Sequence, residues 1–167
     1  MTTEITRPDA PNAIALTGLT FRRRAWVGAV PADLYDLIRD VSRIADWSPN
    51  ANDVRYDQDA GPWVGAWFSG RNHKGGKEWT TRSQVVVAEP GRCFAFAVGG
   101  AQDGIVRWEW TFTAQRGGTV VAQSWQVLRY DPVLGTTRSE LEALRDFMAD
   151  SAESTLLNLA AWIGGPH

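Results

Sequence analysis

Along the centre of the chain apolar and polar residues alternate, and on either side of that region the spacing lengthens to that of a helix. FRRRAWVGAV (21–30) reads as a first strand closed by Pro31, which has no N–H to continue a ladder. From Ala32 the period changes, and Leu34, Leu37, Ile38 and Val41 fall on one face of a helix. Ser42 is placed to cap a second short helix that runs to Asp46 and stops ahead of Pro49. Residues 1–20 show neither period and carry Pro8 and Pro11 among small and polar side chains; they read as a flexible arm or an added edge segment ahead of one domain, 21–167.

The middle of the chain reads as strands throughout. GAWFSGRN (65–72), EWTTRSQVVVAE (78–89), CFAFAV (93–98), IVRWEWTFTA (105–114) and TVVAQSWQVLR (119–129) are rich in aromatic and β-branched residues, and VRYD (54–57) opens the series. The separators HKGGK, PGR, GGAQDG and QRGG are short turn signals. They force antiparallel neighbours, because a parallel crossover needs about a dozen residues. The result is a meander with the first strand returning to an edge.

A long helix ends the chain. Ser139 and Glu142 have the spacing of a capping box. Leu141, Leu144, Met148, Thr155, Leu159 and Trp162 follow as a stripe, and Gly164-Gly165-Pro166 stops it. Run from Glu140 to Ile163, the helix is about 36 Å long, close to the ~33 Å of a ten-residue strand, so it can span a strongly curved sheet.

Strand alternation then sorts the rings. Trp79, Thr81, Ser83, Val85 and Val87 share a face, as do Phe94, Phe96 and Val98; Trp108, Trp110 and Phe112; and Val121, Gln123, Trp125 and Val127. Phe68, Gly70 and Asn72 are the inward set of 65–72, which turns Arg71 outward. The inner face is therefore aromatic but dotted with Asn72, Thr81, Ser83 and Gln123. Two readings stay open: a closed core whose polar groups pair with neighbours, or a ligand cavity between sheet and helix, since pockets combine apolar walls with a few placed polar groups.

Composition narrows the function classes. The 167 residues suit one domain large enough to fold without disulfides or structural metal. A net charge of −2 argues against a nucleic-acid partner. The absence of a long apolar run argues against membrane insertion and for a cytoplasmic protein. Nine tryptophans are more than stability asks of a domain this size, which points again to the inner face. The chain has one cysteine, Cys93, read as a buried inert thiol, and two histidines, His73 in a turn and His167 at the end, so no metal site or Ser-His-Asp triad is expected. The stretch from Gly70 to Lys77 lacks the Gly-Lys-Ser/Thr of a phosphate loop and reads as a hairpin whose tip carries Arg71, His73, Lys74 and Lys77. The charged 21–24 segment discourages edge pairing, so a monomer or weak homodimer is expected.

The order of elements resembles the helix-grip fold of the START-like, or SRPBCC, superfamily. VPADLYDLIRDVSRIADWSP (30–49) is similar to that superfamily's opening, and GAWFSGRNHKGGKEWTTRSQVVVAEPGRCFAF (65–96) with RWEWTFTAQRGGTVVAQSW (107–125) is similar to its bacterial polyketide cyclase/dehydrase-like members. The resemblance implies an α+β fold: a curved antiparallel sheet of six to seven strands wrapped around a long C-terminal helix, with two short helices after the first strand. It implies a hydrophobic ligand held between sheet and last helix, with Trp47 and residues 48–50 near the mouth and Asn72, Trp79, Trp108, Trp110 and Trp125 on the wall. With the inner-face and helix-stripe residues added, the expected ligand set is Trp47, Phe68, Asn72, Trp79, Thr81, Ser83, Phe94, Phe96, Trp108, Trp110, Gln123, Trp125, Met148 and Thr155. Tyr35, one position from Leu34, reads as a ring at the helix–sheet seam. No catalytic residue and no cofactor is indicated. The expected activity is binding of a small hydrophobic, aromatic or polycyclic molecule; the alternatives are a cyclase or dehydratase working by substrate orientation in the same cavity, and an interaction module with a closed core.

Overall fold

The computed structural model describes residues 14–165. Strand β1 (Thr20–Val27) leads into helix α1 (Pro31–Arg39), a 3-10 turn (Val41–Arg43) and the short helix α2 (Ile44–Trp47). Strands β2 (Ala51–Tyr56), β3 (Trp67–Lys74), β4 (Lys77–Glu89), β5 (Cys93–Val98), β6 (Val106–Gln115) and β7 (Gly118–Val127) follow, and α3 (Arg138–Gly164) closes the chain. Among the described residues the strands form one seven-stranded antiparallel sheet in the order β1-β7-β6-β5-β4-β3-β2. The short turns make β2 to β7 a meander, and β1 returns beside β7, so α1 and α2 bridge the sheet's two edges. This is the helix-grip arrangement.

Pro31 occupies the first turn of α1, where its missing N–H costs nothing, and the helix buries Leu34, Tyr35 and Ile38. The second helix starts differently from the sequence expectation. Asp40, not Ser42, is the cap: its carboxylate accepts from the Ser42 N–H (3.2 Å) and hydroxyl, so a 3-10 turn precedes α2. The long helix likewise begins two residues early. Thr137-x-x-Glu140 has the same capping pattern as Ser139-x-x-Glu142, and the Thr137 hydroxyl accepts from the Glu140 N–H (3.1 Å). The earlier start adds two helical residues and lets Arg138 donate to the Thr17 carbonyl (2.7 Å) and to Glu142 (2.9 Å). Residues 14–20 are consequently packed down: Leu19 is buried, with Ile14 and Leu16 against the same cluster. The rest of the expected arm, 1–13, lies outside the described residues.

Residues paired across an antiparallel ladder share a face, and the register bears out most of the alternation. Phe94 faces Trp110, Trp110 faces Gln123, and Phe96, Trp108 and Trp125 line up in turn. One assignment fails. The β4–β5 register shifts between Val85 and Val87, so Val87 pairs with Ala95 on the outer face and Ala88 takes the inward place opposite Phe94. Such a bulge adds a residue and bends the strand, which helps β4 wrap the helix. β3 also runs further than expected. His73 is in the strand, opposite Glu78, and Gly75 and Gly76, both at positive φ, make the turn alone.

Two apolar clusters hold the sheet to the helices. One gathers Leu34, Ile38, Trp47, Phe94, Phe112 and Leu159 under α1 and α2. The other gathers Leu19, Phe21, Trp125, Leu141, Ala149 and Ala152 beneath the first half of α3. Trp108 touches both clusters. Between them α3 stands off the sheet.

Candidate functional site

That gap is a cavity of about 520 Å³. Its sheet wall carries Phe68, Asn72, Trp79, Thr81, Ser83, Phe96, Trp108, Trp110, Gln123 and Trp125; Met148 and Thr155 come from α3 and Trp47 from α2. Every residue of the expected ligand set thus borders the cavity except Phe94. Phe94 is inward as alternation requires, but α1 covers it: its ring meets that of Tyr35 edge-on at 6.2 Å. Tyr35 also meets Phe112 edge-on at 5.9 Å, so it is a seam residue, and burial raises its phenol pKa.

Five of the nine tryptophans border the cavity: Trp47, Trp79, Trp108, Trp110 and Trp125. Trp26 and Trp63 are exposed, and Trp67 faces outward beneath the Arg82 guanidinium. Trp162, expected on the inward stripe, is 40% exposed and packs edge-on to Trp47 at 5.2 Å, with Arg43 stacked over both rings. The α3 stripe serves two surfaces at once. Leu141 and Ala149 press on the second cluster, Phe147, Ser151 and Thr155 border the cavity, and Leu144, Met148 and Ala152 do both. Phe147 and Ser151 escape the sequence reading because both lie to the same side of the line that the apolar spacing traces. Lys74, at the hairpin tip, lies 4.3 Å from the Phe147 ring centroid, so one of its charges rests on the helix instead of standing free in water. Arg71 is outward, as read.

Most polar groups of the cavity are paired. Asn72 donates to the Thr81 hydroxyl (3.2 Å), Ser151 donates to the Asn50 side-chain oxygen (2.6 Å), and Thr155 donates back to the Ser151 carbonyl (2.7 Å). Among the described residues two buried side-chain atoms have no partner, Trp47 Nε1 and Gln123 Oε1, and both belong to residues that border the cavity. Of the charged residues in the lining, Arg82, Asp103 and Arg129 are exposed and Asp131 is half-buried. Arg82 is engaged with Asp57, and Arg129 donates twice to the Asp103 carbonyl, at 2.8 and 3.0 Å. The walls therefore offer rings and neutral hydrogen-bonding groups. Among the described residues no cluster of His, Cys, Asp or Glu has the makings of a metal site, and no helix is long and apolar enough to cross a membrane.

Cys93 is apart from the cavity. Burial, helped by Glu109, pushes its thiol up to about 11, so the reactive thiolate is scarce at neutral pH. A second, shallower hollow of about 310 Å³ is lined by Tyr35, Arg39, Trp63 and Pro90.

Residues 19–163 match the family described as polyketide cyclase / dehydrase and lipid transport. The chain belongs to this family. A polyketide cyclase-like protein of Corynebacterium glutamicum, solved by NMR, is 32% identical over 87% of this chain and 91% of its own, with a TM-score of 0.61. The di-domain ARO/CYC StfQ of the steffimycin biosynthetic pathway is 20% identical, with a TM-score of 0.69; the match covers 87% of this chain and 50% of StfQ. A major latex-like protein of Panax ginseng is 11% identical over 89% of this chain and 100% of its own, with a TM-score of 0.66. The last two likenesses establish the fold alone. No curated protein matches the chain. Family membership brings hydrophobic ligand binding or cyclase chemistry in general; the choice between them rests on the cavity.

Proposed function

We propose that this family member binds a small hydrophobic molecule, aromatic or polycyclic, between the sheet and α3, and that the cavity-lining residues named above make the contacts. The observation that carries this reading is the cavity itself: about 520 Å³, within the usual ~300–1,000 Å³ of small-molecule sites, and walled by five indoles. Flat faces at several angles suit a ring system, which stacks or meets them edge-on. The closed-core alternative is disfavoured by the same volume. Exposed Arg22 and Arg24 on edge strand β1 support a monomer or weak dimer.

A second reading, a cofactor-independent cyclase or dehydratase, is favoured by the likeness to ARO/CYC proteins of biosynthetic pathways. Because most of the charged lining groups are exposed to solvent, such an enzyme would act chiefly by holding a reactive chain in a folded shape. Native mass spectrometry of protein purified from its own host, followed by extraction, tests the binding reading. A stoichiometric apolar adduct is expected. A clean protein mass, together with tryptophan fluorescence that no aromatic probe alters, would overturn it. Conversion of an extracted molecule by the purified protein would establish the second reading.

A further inference from the structure

Gln123 stands out among the polar groups of the cavity. It is 7% exposed and projects from the inner face of β7, directly opposite Trp110 on β6 and two residues from Trp125. Asn72, Thr81 and Thr155 are paired within the protein, whereas the Gln123 Oε1 is buried without a partner. A buried amide oxygen among indoles is unfavourable unless something donates to it. It serves packing poorly, since leucine or methionine would fill that place without the penalty.

We propose that Gln123 is the specificity-determining polar contact of the cavity and selects ring ligands that carry a neutral hydroxyl over bare hydrocarbons. The inference rests on the ligand-binding reading above. A hydroxyl is the group that fits, because it both donates and accepts, and so meets the amide whichever way it is turned. A site that hydrogen-bonds a substituent rejects the analogue lacking it more strongly than an apolar pocket discriminates by size.

The test is a fluorescence titration of the full chain with pyrene and with hydroxypyrene, two probes that differ by one hydroxyl. Wild type is expected to bind hydroxypyrene about tenfold more tightly than pyrene, equivalent to about 1.4 kcal/mol. Gln123→Leu should bring that ratio close to one while pyrene affinity stays level or improves. Gln123→Met, which preserves the side chain's length, should do the same and serves if the leucine variant misfolds. Neither variant should melt below wild type, because each removes an unpaired buried polar group. A wild-type ratio near one, or a tenfold ratio that survives both substitutions, would overturn the assignment while leaving ligand binding intact. A lowered melting temperature in both variants would also overturn it, by showing that Gln123 holds the fold. Failure of wild type to bind either probe would remove the ligand-binding reading as well.

Discussion

Trp110→Ala separates the cavity from the rest of the core. The indole is 3% exposed, with Phe94 opposite on β5 and Gln123 opposite on β7, and it borders the cavity. Truncating a buried tryptophan costs about 3–5 kcal/mol where the space cannot collapse. Part of this ring already faces open volume and makes fewer contacts, so the lower end, about 3 kcal/mol, applies. That is less than the ~5–15 kcal/mol of a typical domain, so the variant should fold, melting roughly 6–12 °C lower. A ring ligand would lose one aromatic contact, about 0.5–1.5 kcal/mol, together with some 40 Å² of apolar burial, about 1 kcal/mol. Affinity should fall on the order of ten- to sixtyfold. The control is Leu141→Ala, in the second cluster and away from the cavity. It should cost a similar ~2–5 kcal/mol of stability and leave affinity unchanged. Thermal melts by circular dichroism and pyrene titrations of both variants give the comparison. If Leu141→Ala weakens binding as much as Trp110→Ala, or if Trp110→Ala binds like wild type, the cavity is not the binding site.

Four further outcomes follow from local geometry. Thr137→Ala should lose about 1 kcal/mol of stability in urea melts, the usual worth of a helix cap. The Thr136 N–H and hydroxyl hold the Glu140 carboxyl below its ordinary value, so its contribution is present above the unfolded value, about 4.3, and disappears as pH falls through the lowered folded one; the deficit of Glu140→Gln relative to wild type should therefore close on acidification. Cys93, half-buried and with its thiol pushed up to about 11, should react with a disulfide reagent at pH 8 far more slowly in the native protein than in denaturant, and equal rates would contradict that shift. Gly61→Ala should destabilise by about 2 kcal/mol or more, since φ is +76° and the new methyl would meet the Tyr56 ring, whose hydroxyl donates to the Arg39 carbonyl (2.8 Å); Gly65→Ala, at φ +94° with open space around it, should show only the conformational part, about 1 kcal/mol.

Much of this molecule was legible in its sequence because the signals are local. A two-residue period fixes which side of a strand each ring occupies, and turns such as Gly75-Gly76 leave no room for anything but an antiparallel neighbour. Those two facts bring Phe68, Trp79, Trp108, Trp110, Gln123 and Trp125 to one face. Tertiary structure decided what local signals leave degenerate. Two overlapping capping patterns competed at the start of α3, and the contacts of Arg138 with residues 15–17 accompany the earlier one. A bulge invisible to alternation moved Val87 outward and Ala88 inward. Phe94 lies on the correct face, yet the path of α1 over that end of the sheet removed it from the cavity. The cavity depends on the distance between a curved sheet and a helix that rests on it through Ala149 and Ala152. That distance is set by long-range packing of two separate clusters, and no single segment of the chain encodes it.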